Sequence, residues 1–584
     1  MSTFLTAQSL TLAHSTKPLF KALNFTIHSG DKIGLIGHNG CGKSSLLKLL
    51  NGEYDASEGN IAKANHCLMS YVEQHIPPTL ESSSLINALA ETLDETEHWR
   101  AELMLSELGF AEHEYQMQVS HASGGQQMRL LLARAIINEP DLLLLDEPSN
   151  HLDLASLMWL ERFLSRWKGS FVLVSHDQVL LDAITNTTWI MRDKSLHHFA
   201  LSCSQARAAL DEKDEQDRQR YQGEQKEIDR IEKSAKRLAT WGKVYDNEDL
   251  ARKAKTMYAR KERLEEEQTE LSEGTPWRLQ LEGEALPANR LLETSPFMLT
   301  PPQSERQLFH MPEMRIKSGD RIAVLGNNAC GKSTLLNLLH AFYLEQTQKQ
   351  QDILKPDVNF HPSCRLGYYD QSQNQLNDED SLVEALGHFG TLTNEEAKRA
   401  LINAGFEYAR HIQKVSSLSG GERARLLFIG LSLANFHLVF LDEPTNHLDM
   451  EGKEELIDTL HTFQGASLIV SHDRSLIEQA CNRFWFIQKG ELTEYFNVEE
   501  VYQKISEKSE HKALVKGSYS SKERISQDGA NSTQLQNLDE EAMLERLIEL
   551  ETLLEDDLKR KAKRQKPKLQ AQWRNEIEKL QAKL

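Results

Sequence analysis

Long apolar runs are missing from this 584-residue chain. No stretch approaches the ~18 apolar residues that a membrane-crossing helix needs, and the N-terminus lacks a secretory signal pattern. Cysteines are few and scattered: Cys41, Cys67, Cys203, Cys330, Cys364 and Cys481 include no C-x-x-C pair. Their placement fits reduced thiols in a cytoplasm better than a disulfide frame or a zinc site. A positive balance is missing too. The net charge of −20 argues against nonspecific nucleic-acid binding over the whole surface, while leaving room for local basic elements. What is present is 26% charged and 39% hydrophobic residues, over a length sufficient for more than one domain.

The chain repeats itself. Residues 142–153 read LLLLDEPSNHLD, and 296 positions later residues 438–449 read LVFLDEPTNHLD. A short apolar run that meets two acids predicts a buried parallel strand carrying Asp146 and Glu147, or Asp442 and Glu443, to its C-terminal end. Ligands of open α/β sheets bind at that end. In a phosphate-hydrolysing site the aspartate would hold Mg²⁺, directly or through water, and the glutamate would orient or deprotonate the attacking water.

Each acidic loop has the same companions. The strand Ile33-Gly34-Leu35-Ile36 leads into Gly37-His38-Asn39-Gly40-Cys41-Gly42-Lys43-Ser44 and then Ser45 at a helix start. Ile322-Ala323-Val324-Leu325 leads into Gly326-Asn327-Asn328-Ala329-Cys330-Gly331-Lys332-Ser333 and Thr334. Both are GxxxxGK[ST] in a strand–loop–helix setting: backbone N–H groups surround phosphates, Lys43 or Lys332 meets the β- and γ-phosphates, and Ser44 or Ser333 helps hold Mg²⁺. Ala329 stands where the first copy has Gly40, and would strain the loop if that position needs positive φ.

Gln74 and Gln371 end strand-like segments, where an amide could sense Mg²⁺ or the attacking water. Ser123-Gly124-Gly125-Gln126 and Ser419-Gly420-Gly421-Glu422 head helices whose free N–H groups and dipole can take an anion. His176 and His472, in Ser-His-Asp triplets at strand ends, can contact a γ-phosphate and report its loss. Taken singly these would be a surface glutamine, an ordinary N-cap and a structural histidine; their shared order gives them meaning. That order resembles the nucleotide-binding domain of the ABC ATPases. The resemblance implies that the SGGQ-type helix of one cassette closes over ATP held by the P-loop of the other, so that two cassettes on one chain could complete both sites.

Charge density rises after Ser202. A helix is predicted over 205–241 with a thin stripe of Ile228, Ile231, Ala235 and Leu238, a break over 242–247, and a second helix over 249–273 carrying Leu250, Ala254, Met257, Leu264 and Leu271. Thin seams with polar remainders predict an antiparallel hairpin projecting into solvent. From Arg230 to Lys261 ten basic residues face four acids, with Trp241, Tyr245 and Tyr258 among them. Arg237, Trp241, Lys243, Tyr245, Arg252, Lys253 and Lys255 are candidate RNA contacts through phosphates and stacking; a solvated charged linker is the plainer alternative. In the tail, Leu544, Leu547, Leu550 and Leu554 mark one helix, and Trp573, Ile577, Leu580 and Leu584 another. The seven basic residues of 559–568 lie between them.

Two cassettes, no membrane domain, a charged hairpin between them and DEPSNHLD/DEPTNHLD loops together resemble the ABC-F proteins over nearly all of residues 1–500. The expected fold class is α/β. Two P-loop ABC-type nucleotide-binding domains (1–202 and 281–500) are joined by an α-helical hairpin linker (203–280). A flexible linker (501–537) and a C-terminal coiled coil with a basic turn (538–584) follow. The resemblance implies an ATP- and Mg²⁺-dependent translation factor of the cytoplasm. Its closed form would bind the 70S ribosome at the tRNA exit site, aim the hairpin at the peptidyl tRNA and rRNA of the peptidyl-transferase centre, and leave on hydrolysis. Protection of the ribosome against antibiotics is a special case. It further implies a monomer whose sites pair Lys43, Gln74, Glu147 and His176 with Ser419 and Gly421, and Lys332, Gln371, Glu443 and His472 with Ser123 and Gly125. Two other readings are a DNA-binding repair or recombination ATPase acting through the tail, and the ATPase subunit of a transporter.

Overall fold

A computed structural model describes residues 2–505, except 15–16, 151, 245–247, 267, 269–278, 280, 282, 288–289, 302–305, 349–357, 374, 391–392 and 447. Contacts divide the chain into Met1–Glu507 and Lys508–Leu584. The predicted coiled coil and all but the first five residues of the predicted flexible linker lie outside the described residues.

The first cassette is built on a six-stranded sheet in the order Met69–Val72, Leu142–Asp146, Ser170–Val174, Lys32–Gly37, Thr187–Arg192, Ser195–Phe199. The first five strands run parallel and the last is antiparallel. Side chains alternate across a strand. Leu142 and Leu144 therefore enter one core, with Leu46 and Leu47 of the helix Lys43–Asn51 and the three-stranded antiparallel sheet that contains Phe20, Leu23 and Ile27. Leu143 and Leu145 enter the other, beneath the helices Gly124–Ile136, Leu154–Arg166 and Gln178–Ile184. Burial on both faces is why this strand is apolar without interruption. Short helices Leu85–Ala90 and Trp99–Glu107 pack with Gly124–Ile136 around a small core of their own.

The second cassette repeats the plan on an eight-stranded sheet whose inner strands are Arg483–Gln488, Arg321–Gly326, Ala466–Val470 and Leu438–Asp442, with Leu366–Tyr369 at its edge. A separate three-stranded sheet, Met314–Ile316, Leu292–Thr294 and Val358–Phe360, covers it.

The two cassettes interlock. Leu154, the first residue of its helix, is buried among Ala323, Leu325, Phe484 and Val501 of the second cassette. Met450, which starts the matching helix Met450–Thr462, is buried in the core of the first. Ion pairs flank the crossing: Arg474 Nη1 meets Glu161 at 2.5 Å, and Arg207 Nη2 meets Glu454 at 2.6 Å.

Between the cassettes the helix Cys203–Val244, 42 residues, pairs with Glu248–Glu266. At 1.5 Å per residue the longer helix extends about 63 Å. Its root, Cys203, Ala206 and Leu210, belongs to the first cassette's core. Farther out, among the described residues, only Ile228, Ile231, Ala235 and Ala254 are buried, and ion pairs such as Arg260–Glu227 at 3.1 Å and Lys261–Glu232 at 3.2 Å flank the seam. Leu238, Leu250, Met257 and Leu264 are half-buried. One expectation is corrected: Gly242 does not break the first helix, which runs on to Val244. A single glycine costs a helix only about 1 kcal/mol, less than the rest of a long helix supplies. The predicted end of the second helix falls partly outside the described residues.

Leu154→Ala and Met450→Ala should each destabilise the chain by about 2–5 kcal/mol, as for large-to-small changes in a packed core. A lowered urea midpoint would show it. An unchanged midpoint would mean that the crossing contributes nothing to stability.

Candidate functional site

Both P-loops are shaped by backbone that side chains would obstruct. Gly37 ends its strand at φ 153°, and a Cβ there would lie 2.4 Å from the Met191 carbonyl oxygen. Gly42 stands at φ 101° just before the helix that begins with Lys43. Lys43 is buried in the loop and donates to the carbonyls of Gly37 at 2.8 Å and His38 at 3.1 Å; Lys332 does the same with Gly326 at 2.9 Å and Asn327 at 3.0 Å. The position after the asparagine is left-handed in both copies, φ 81° at Gly40 and φ 60° at Ala329. The second loop therefore carries a strain that the first avoids. Cys41 and Cys330 face inward beneath Gly37 and Gly326, and burial raises both thiols above their usual range. Ser45 and Thr334 lie in the first helical turn behind Ser44 and Ser333.

Ser44 Oγ donates to Asp146 Oδ1 at 3.0 Å, and Ser333 Oγ to Asp442 Oδ1 at 3.0 Å. A hydroxyl and a carboxylate side by side at the mouth of each P-loop suit Mg²⁺, which prefers few protein oxygens together with water and phosphate. Among the described residues no three His, Cys, Asp or Glu side chains converge to cage a metal. Tyr71 donates to Asp146 at 3.1 Å, whereas its counterpart Tyr368 donates to Asn337 at 2.8 Å.

Glu147 and Glu443 leave the buried strands in left-handed conformations, φ 48° and 49°, with their N–H groups held by Val174 and Val470. Such strain, when over-determined by its surroundings, is characteristic of functional turns. Glu147 accepts from Gln74 at 3.3 Å and from Asn150, and His176 Nε2 lies 3.5 Å away. Glu443 has His472 Nε2 at 3.5 Å, and that nitrogen is also 3.1 Å from Asn328 Oδ1. The two glutamates therefore differ electrostatically. Burial pushes Glu443 up to about 8, with Asp442 adding to the rise and Lys332 opposing it. Burial works against the charge of Glu147 as well, but the adjacent His176 ring, the Lys43 charge and a hydrogen bond from Asn150 hold it below the usual carboxylate range. Burial depresses both histidines, His472 to about 3; the Lys43 and Lys332 charges add to the fall, while Glu147 opposes it at His176.

A cavity of about 680 Å³ lies between the cassettes. Asn39, Gly40, Gln74, Glu147 and His176 line it from the first, facing Ser419, Gly420 and Gly421 of the second; Asn328, Gln371, Glu443 and His472 reach it too. Ser123 and Gly125 do not line this cavity, and Gly125 packs on Ser156. The second P-loop instead meets the first cassette through Asp153, whose Oδ2 accepts from the Asn328 N–H at 3.2 Å. Ser123 and Ser419 cap their helices, and Gln126 and Glu422 turn back to those caps rather than outward. Gly124 and Gly420 are the first helical residues.

Sequence reasoning identified no surface for the adenine. Leu19 lies against Gly42, and Leu308 against Gly331, as matching aliphatic neighbours of the loops. It also missed Lys453, which lines the cavity. Of the candidate RNA contacts, Arg237, Trp241, Lys243, Arg252, Lys253 and Lys255 are exposed near the far end of the hairpin; Tyr245 lies outside the described residues.

Tandem P-loop cassettes joined face to face define the chain as an ATP-binding cassette ATPase. The family model described as "ABC transporter" matches residues 20–150 and 309–446. The chain is 31% identical over 552 residues to the probable ATP-binding protein YheS of Haemophilus influenzae, covering 85% of this chain and 81% of that one. It is 28% identical over 515 residues to the ribosome protection protein VmlR of Bacillus subtilis, with 85% and 89% covered. It is 29% identical over 569 residues to ABC transporter F family member 4 of Arabidopsis thaliana, with 85% and 76% covered. The chain belongs to the ABC-F family, and it hydrolyses ATP. No helix among its described residues is long and apolar enough to cross a membrane.

Ala329→Gly should relieve the left-handed strain and stabilise the second cassette by up to about 1 kcal/mol, part of the gain being offset by the freer unfolded glycine. The urea midpoint measures this. A loss of stability would show that contacts of the Ala329 methyl outweigh its strain.

Proposed function

We propose that this protein is a translation factor that binds the 70S ribosome in its ATP-bound form and leaves on hydrolysis. One observation carries the reading: a basic, tryptophan-bearing hairpin end, with exposed Arg237, Trp241, Lys243, Arg252, Lys253 and Lys255, held away from an otherwise acidic protein by a 42-residue helix. Cations that match phosphates, with an aromatic face for a base, are the equipment for structured RNA. Similarity to a relative named as a ribosome protection protein supports the same partner. In finer detail, the protein binds at the tRNA exit site with the hairpin directed at the peptidyl tRNA and the peptidyl-transferase centre. Antibiotic protection is a special case of that position.

Within each site the P-loop N–H groups and Lys43 or Lys332 hold the phosphates of ATP. Ser44 with Asp146, and Ser333 with Asp442, would hold Mg²⁺ at the phosphates together with Gln74 or Gln371. Bound there, the ion would supply charge neutralisation to the phosphoryl group being transferred. Glu147 and Glu443 orient and deprotonate the attacking water, and His176 and His472 sense the γ-phosphate. Ser419 and Gly421 close the first site, and Ser123 and Gly125 the second, so a single chain suffices.

The double variant Glu147→Gln, Glu443→Gln should retain ATP binding while hydrolysis falls by about 10²–10⁴-fold, the usual worth of a general base. It should co-sediment with 70S ribosomes in ATP but not without nucleotide. Replacing Arg237, Lys243, Arg252, Lys253 and Lys255 by glutamine should weaken that binding and flatten its salt dependence. Retained ATP binding with no ribosome in the pellet would overturn the proposal.

A further inference from the structure

The two halves differ at one place that faces both sites. The helices that follow the acidic loops begin Leu154-Ala155-Ser156-Leu157 in the first cassette and Met450-Glu451-Gly452-Lys453 in the second. Leu157 and Lys453 thus hold equivalent positions, and both line the cavity. Leu157 is an apolar member of the first cassette's core. Lys453 has only 16% of its side chain exposed, and its ammonium crosses to the other cassette, donating to the His176 carbonyl at 3.0 Å. It donates as well to Asp473 Oδ2 at 2.6 Å.

Both acceptors belong to switch loops. The ring of His176 stands 3.5 Å from Glu147, so whatever fixes the His176 backbone fixes that approach. Asp473 follows His472 and caps the helix Arg474–Ala480 through its other oxygen, 3.0 Å from the Leu476 N–H. An ammonium with several donors can hold both at once, while a leucine has none to offer. The buried ammonium is compensated by Asp473, and charges alternate beyond it: Asp177 lies 3.9 Å from Arg474, which is paired with Glu161.

We propose that Lys453 is a positioning residue that couples the two ATP sites in one direction, fixing the switch histidine of the first site from the second cassette, while the equivalent Leu157 offers no such donor toward the second site. Hydrolysis at Glu147 therefore depends on Lys453, and hydrolysis at Glu443 does not. The inference rests on the assignment of Glu147 and Glu443 as the bases of their sites.

The test is single-turnover hydrolysis of bound ATP by the full chain in two parents, Glu443→Gln, which leaves the first site active, and Glu147→Gln, which leaves the second. Into each goes Lys453→Leu with Asp473→Asn, a charge-neutral pair that keeps an oxygen for the helix cap. The expected result is a rate about ten- to hundredfold lower in the Glu443→Gln parent, the scale of a small misplacement of a catalytic group, and less than about twofold lower in the Glu147→Gln parent. ATP affinity should remain within about twofold in both, marking a positioning rather than a binding effect. Asp473→Asn alone should leave the first site active, because Lys453 still meets the His176 carbonyl. Equal losses in both parents would reduce Lys453 to a contact that closes the cassettes, and no loss in either would remove it from the mechanism; each overturns the proposal. Undiminished hydrolysis in the Glu147→Gln, Glu443→Gln protein would instead overturn the assignment of the bases, and this inference with it.

Discussion

The site depends on a strand that is dry on both faces until its last residue. Leu142–Asp146 and Leu438–Asp442 are buried throughout, and in each the chain exchanges its apolar run for two carboxylates within two positions. A charge inside such a sheet would be costly unless compensated. Ser44 and Tyr71 meet Asp146, Ser333 meets Asp442, and the next residue turns abruptly out of the sheet with positive φ. The turn places Glu147 beside His176 and Glu443 beside His472. Hydrophobic burial therefore determines where the carboxylates stand.

The same physics joins the halves. Leu154 and Met450 each begin a helix of one cassette in the core of the other, so closing the interface buries apolar surface reciprocally. The helices they begin lead directly from the acidic loops, and Asp153, just before Leu154, receives the N–H of Asn328 in the opposite P-loop. Packing and site assembly are thus one event. Repetition of sequence does not make the halves equal, however. Two glutamates in the same motif are shifted in opposite directions: His176, Lys43 and Asn150 outweigh burial at Glu147, while burial dominates at Glu443.

The hairpin follows a different logic. Its seam buries few side chains, and its exposed ion pairs contribute little each, since solvent screens them. Its length is supported by its root, where Cys203, Ala206 and Leu210 enter a true core. A thin seam leaves most of the surface polar and the far end basic.

Much of this was legible in the chain. The uninterrupted apolar runs, the glycines that require positive φ, the Ser caps and the sparse stripe of Ile228, Ile231 and Ala235 are local signals, and local backbone and burial preferences decide them. Ala329 could be marked as a strained position from the comparison of repeats alone, and its φ of 60° agrees. The end of the first hairpin helix was misread at Gly242, because one poor helix former does not outweigh a long helix. What only tertiary structure decided is nonlocal: that Ser419 to Gly421 share a cavity with Glu147 while Ser123 does not, that Leu19 and Leu308 lie against the loops, that like glutamates meet different electrostatic surroundings, and that Lys453 reaches the carbonyl of His176. Sequence determines which groups a segment carries and which way its backbone turns. Which charges meet, and how dry their meeting place is, depends on distances between residues hundreds of positions apart, and only the packed cores set those distances.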